Sequence, residues 1–217
     1  MVAHEYAHGY AALKQGDRTA FEKGRLTWNP VKHIDVFMTI LMPVMTFYGS
    51  GGSFMFGGAK PVPVVPSNYR HFKRGDIIVS LAGIATNLVL AVGCTILIIL
   101  FGLVGRGLSA SVDSMAILQR MMLQGVLINL ILAIFNLMPI PPLDGSHVMK
   151  YVLPPAWSLR YQQVGRYGIV ILVLLLATQA GQRVVDAWMT PVEYLGRLAV
   201  RTAMPFFLSS PFAFGIT

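Results

Sequence analysis

The chain has 217 residues, 55% of them hydrophobic and only 12% charged, with 17 Lys and Arg against 9 Asp and Glu. Soluble domains carry about a quarter charged residues, so this composition excludes an ordinary water-soluble globule and points to one integral membrane domain spanning residues 1–217. The excess of +8 suits cytoplasmic loops and anionic headgroups. No nucleic acid partner is expected, because no basic stretch is interleaved with aromatics. The single Cys94 rules out an internal disulfide.

The first chemical signal is His4-Glu5-Tyr6-Ala7-His8, an H-E-x-x-H pattern. On a helix, residues four apart lie one above the other, so His4 and His8 can aim two imidazoles at one metal ion. Glu5 lies about 100° further round, beside the metal, where it can act as the base for a water. The bland alternative is two ordinary histidines that solvate or cap a helix. Only three residues precede His4, and a lead-in helix truncated at the start is the expectation that follows.

Val36 to Tyr48 is a short apolar segment with Pro43 inside; it suits a re-entrant or interfacial piece better than a full span. Phe54 to Val65 carries Pro61 and Pro63 two apart. In an extended strand their missing N–H groups would lie on one edge, leaving Val62 and Val64 to pair on the other. Lys60, Val62 and Val64 are therefore candidates for an edge that adds an unwound substrate segment; a rigid extended linker is the alternative.

Ile77 to Leu103 is long enough, at 1.5 Å per residue, to cross a hydrocarbon core of about 30 Å. Met121 to Met138 is a second apolar run, and Val164 to Ala180 a third and shorter one. The tail holds Pro191, Pro205 and Pro211, with Val192 to Met204 as an interfacial helix candidate. The loops 9–35, 49–76 and 139–166 are basic, whereas Val104 to Ser114 is nearly neutral. If Val36 to Tyr48 does not cross, the three basic loops share the cytoplasmic side. His4, His8 and the segment after Met138 then lie at the same end of the helices.

That segment reads Pro139-Ile140-Pro141-Pro142-Leu143-Asp144-Gly145. Three prolines in four positions cannot continue a helix, and broken backbone at membrane depth survives only against protein or a watery cavity. Asp144 could supply a third, carboxylate ligand, with Gly145 permitting a tight turn. Equally, it could cap the next helix. Asn87 and Asn129 read as hydrogen-bonding glue between helices, and Asn136 as either a structural amide or a group near a substrate carbonyl. His33, His71 and His147 read as solvated or headgroup-facing.

With these residues in view, the chain resembles the site-2 proteases, intramembrane zinc metalloproteases, in their short form without a PDZ domain. The matching residues are His4 to His8, Gly24 to Asp35, Gly57 to Val64, Ala82-Gly83-Ile84-Ala85-Thr86-Asn87, and Asn136 to Gly145. Ile84 stands where the family usually has proline. The resemblance implies one Zn2+ per chain held by His4, His8 and Asp144, with Glu5 as catalytic base. It implies an all-α, polytopic, multi-pass helix bundle of a bacterial-type plasma membrane, with the metal toward the cytoplasm and a small extended or β loop element. A membrane protein substrate and the lipid bilayer are the expected partners; Asn136 and Asn87 are candidates for substrate or oxyanion contacts. The rival readings are a metal-binding transporter and a catalytically impaired membrane scaffold.

Overall fold

The computed structural model describes residues 1–52, 55, 57–108 and 112–208. Phe54 and Phe56 of the expected strand, and Pro211 of the tail, lie outside the described residues. The chain divides into two compact units: Met1–Thr86 with Asn136–Ala187, and Asn87–Phe135 with Trp188–Thr217.

The first unit opens with α1 (Val2–Gln15), which ends at Gly16 in a left-handed conformation, φ 113°, whose N–H returns to the carbonyls of Ala12 and Leu13. The short α2 (Thr19–Glu22) follows. Asp35 then starts a π-helical turn, Val36–Leu41, by accepting from the N–H groups of Phe37 and Met38, and the turn runs into α3 (Met42–Gly49). This whole stretch is short and apolar, and shorter than a membrane-crossing helix. Residues 57–65 belong to no helix, and no strand forms among the described residues. Gly58 N–H and Lys60 N–H are tied to the carbonyls of Met38 and His33.

Two helices are long and apolar enough to cross a membrane: α4 (Phe72–Gly107) and α5 (Val112–Asn136). Both begin well before the apolar runs visible in the sequence. After the proline break come α6 (Gly145–Val152), α7 (Pro155–Val164) and α8 (Gly168–Ala177). The chain then bends by 93° into α9 (Gln179–Ala203), which runs on through Pro191. The expected third span is therefore broken. It counts as a span only if the bent pair acts as one.

In the second unit the core gathers Ala91, Ile98, Leu123, Val126, Leu130, Val192 and Ala203. On α4, Val89, Val92, Ile96, Leu100 and Leu103 are exposed; at these spacings they form an outward apolar stripe. A stripe of this kind would be unfavourable in water and is at home in lipid. Where Gly125 stands, a Cβ would come within 2.8 Å of Cys94 Sγ, so a small residue here lets helices approach closely.

The buried amide that links elements in this unit is Gln119. Its Nε2 donates to the carbonyls of Ile98 at 2.8 Å and Phe206 at 2.9 Å, and its Oε1 accepts from Leu208 N–H. Asn129, expected to join helices, instead donates to the Gly125 carbonyl of its own helix.

Candidate metal centre

The H-E-x-x-H segment lies on α1, as its four-residue spacing requires. His4 Nε2 and His8 Nε2 are 3.0 Å apart, and Asp144 Oδ2 is 3.2 Å from the first and 3.3 Å from the second. Among the described residues these three form the one group of His, Cys, Asp and Glu that could hold a metal ion.

The triangle fits zinc. Tetrahedral arms of about 2.0–2.1 Å require donor-to-donor edges of about 3.3 Å, close to the three distances found. The sequence left open whether Asp144 caps the next helix. Its side chain makes no cap hydrogen bond to α6, and its buried Oδ2 has no hydrogen-bond partner beyond the facing imidazoles. Three donor atoms this close together, one of them a buried carboxylate oxygen, are what a cation would reconcile.

Tautomer and space are set by α4. His8 Nδ1 lies 2.7 Å from the Val79 carbonyl. A carbonyl can only accept, so Nδ1 donates, and a neutral His8 is left with its Nε2 lone pair facing the triangle. A Cβ at Gly83 would fall 2.5 Å from His8 Nε2 and 2.6 Å from His4 Cε1. Glycine is therefore the residue that leaves room for both rings. The sequence offered Gly83 only as part of a family motif, and Val79 not at all, because a main-chain carbonyl leaves no trace in residue type.

Without a metal, burial works against charge on Asp144, yet hydrogen bonds from His4 and His8 hold its carboxyl down at about 2. Burial likewise opposes charge on His8, and the Asp144 carboxylate outweighs it and raises the imidazole. Metal binding here must displace protons.

Asp144 arrives on a built turn. Gly145 does not adopt a left-handed conformation; a Cβ there would lie 2.1 Å from the Leu137 carbonyl oxygen. It is needed for close backbone approach rather than for the turn expected from sequence. Tyr161 OH donates to the Pro139 carbonyl at 3.0 Å, and Gly168 admits the Pro141 carbonyl.

Glu5 Oε2 accepts from Val62 N–H at 2.9 Å, and Val65 N–H is held by Asp17 Oδ2 at 2.7 Å. Arg25 donates to the Lys60 and Pro61 carbonyls. Residues 60–65 are thus held by Glu5, Asp17 and Arg25, and the Val62 N–H offered by the sequence for pairing is engaged by Glu5. Val64 lies against Ala12, Tyr69 and Val79. Asn136 is the last residue of α5, and Asn87 is buried on α4 at the start of the second unit. His33, expected to be solvated, is buried and within 2.9 Å of the Thr27 carbonyl. His147 is half exposed and lies 3.4 Å from Asp76.

Comparison with known proteins decides the family. Residues 1–177 match the model of peptidase family M50. The chain belongs to that family, the site-2 proteases. A Bacillus subtilis (strain 168) protein named "Putative zinc metalloprotease YwhC" is 38% identical over 83% of this chain and 78% of its own length. "Putative zinc metalloprotease Rip2" of Mycolicibacterium smegmatis is 31% identical over 84% of this chain and 65% of its own length. The Rip2 of Mycobacterium tuberculosis (strain H37Rv) is 27% identical over 89% and 68%. No solved structure matches the chain. Membership places it among the zinc metalloproteases, and its apolar helices among membrane proteins.

Proposed function

We propose that this chain is an intramembrane zinc endopeptidase that hydrolyses a peptide bond in a transmembrane or membrane-adjacent segment of a protein substrate. The observation that carries the reading is the His4–His8–Asp144 triangle with Glu5 beside it on the same helix. His4, His8 and Asp144 would hold one zinc ion. Bound there, zinc would supply Lewis acidity, polarising a carbonyl and making water acidic enough to lose a proton near neutrality.

Glu5 Oε2 takes the proton of the attacking water and returns it to the amine that leaves. His8 keeps its orientation through Val79 as the charge of the site changes. In the resting arrangement Glu5 is spent on Val62 N–H. It must turn from that donor to reach the water, and Val62 N–H is then free for the main chain of an unwound substrate, with Lys60 and Val64 on the same segment. Asn136 and Asn87 are proposed for substrate or oxyanion contacts. The basic loops support a metal end of the helices on the cytoplasmic side.

Glu5→Gln tests the reading. An enzyme of this kind loses about 100-fold or more of its cleavage of a reconstituted membrane substrate while its zinc content stays at the wild-type level. Unchanged cleavage would remove Glu5 as the base, and a wild-type chain that binds zinc but cleaves nothing would leave the transporter or scaffold reading.

A further inference from the structure

Asp76 lies on α4 with 2% of its surface exposed, one helical turn before Val79 and two before Gly83. Spacings of three and four put these residues on one helix face. Val79 orients His8, and Gly83 clears space for both imidazoles. Asp76 has a different set of partners. Lys150 Nζ is 2.5 Å from its Oδ2, Tyr151 OH donates to the same oxygen at 2.9 Å, and His147 Nδ1 is 3.4 Å from Oδ1. His147, Lys150 and Tyr151 themselves share one face of α6, and α6 begins at the residue after Asp144.

An eight-residue helix is marginal alone, so its axial and rotational register must come from what grips it. We propose that Asp76 is a positioning residue of the metal centre: its three-pronged hold on α6 sets where Asp144 stands relative to His4 and His8. One face of α4 then registers both halves of the ligand set, the imidazoles through Val79 and Gly83 and the carboxylate through Asp76. Buried ion pairs add little net stability over an apolar replacement; their better-attested contribution is to fix one geometry among several. This inference rests on the reading that His4, His8 and Asp144 hold zinc.

The test removes both charges together, so that neither is left orphaned: Asp76→Leu with Lys150→Met, in the full chain purified in detergent. Zinc affinity is read by competition with a chromophoric chelator, and ligand geometry by the visible spectrum of the cobalt-substituted protein. The expected result is zinc binding about tenfold or more weaker with altered cobalt bands, while the metal-free protein melts as wild type does. Wild-type affinity and an unchanged cobalt spectrum would overturn the proposal. So would lower affinity that tracks a lower melting temperature with the cobalt bands intact. If the double variant does not fold, Lys150→Met and Tyr151→Phe each remove one prong. Each should then give a smaller loss of affinity, and no loss in either would overturn it. His4→Ala separates the two readings: if it leaves zinc binding of the wild-type chain unchanged, the metal centre itself is wrong, whereas a defect in His4→Ala alone sinks only the role of Asp76.

Discussion

The two units are built on different terms. Among the described residues, the buried polar groups of the first are His4, Asp17, His33, Asp76, Ser80 and Ser146, most of them answering to a specific partner at hydrogen-bond distance. In the second they are Asn87 and Gln119, within a core of aliphatic side chains and alanines. Buried polar groups are costly unless satisfied, and when satisfied they select one arrangement. Apolar packing is more forgiving of the residue used. The first unit should therefore lose function through small changes in geometry, and the second should lose stability with the metal chemistry untouched.

The largest expected effect sharpens this contrast with one methyl group. Gly83→Ala places a Cβ within 2.5 Å of His8 Nε2 and 2.7 Å of His4 Nδ1, closer than such atoms come. One of the rings must move, and zinc affinity should fall on the order of 100-fold. Alanine is a better helix former than glycine, so the metal-free melting temperature should hold or rise. Chelator competition beside a thermal melt measures both. Unchanged zinc affinity would break the picture of a site limited by space at α4.

In the second unit the comparable probe is Gln119→Leu. It deletes the bonds to the Ile98 and Phe206 carbonyls and to Leu208 N–H. Leaving such groups unpaired costs about 1–3 kcal/mol, read as a lower unfolding midpoint in detergent. Zinc affinity should not change. A loss of zinc would show that the units are not energetically separate.

How much of this was readable beforehand follows the same division. The candidate group of His4, His8 and Asp144 was legible because imidazole spacing and a carboxylate beyond a proline break are written in residue types. The long helices were legible from apolar length, but α5 was placed too late, since Asp113, Gln119 and Arg120 mask its first turns; Gln119 is in fact buried, bonding inward. The third span was only partly legible: Val164 to Ala180 reads as one candidate in the sequence, but the chain bends by 93° at Thr178, and it counts as a span only if the bent pair acts as one. The surroundings of the candidate substrate edge were not legible, for another reason. Alternating prolines indicate an extended chain but not its neighbours, and Glu5, Asp17 and Arg25 turn out to hold it. Val79, Asp76 and Lys150 left no signal at all, because their roles depend on helices meeting in space.

Asp17 gives a pH-dependent effect of similar size. Burial opposes its charge, but Thr19, Asn68 and the Val65 N–H together hold its carboxyl below the ordinary value. A carboxyl lowered on folding stabilises the fold fully above the unfolded value of about 4, and that contribution is lost as the pH falls from there through the lower folded value. Acid melts of the wild type should show the loss, and Asp17→Asn should flatten it while costing about 1–3 kcal/mol at neutral pH. An unaltered acid limb would remove Asp17 from the account.

The smallest effect closes the contrast from the other side. Glu193 and Arg197 on α9 pair at 3.1 Å, four residues apart, with side chains 71% and 78% exposed. The distance is no worse than those inside the first unit, but water screens the charges and two long side chains must be held still. An i to i+4 pair of this kind is worth about 0.3–0.5 kcal/mol at most. Glu193→Gln should move the melting temperature by less than the scatter between preparations, with zinc affinity unchanged. A loss above about 1 kcal/mol would mean that charge on α9 matters as much as charge around the metal, and the distinction between a unit tuned by polar geometry and one held by packing would have to be abandoned.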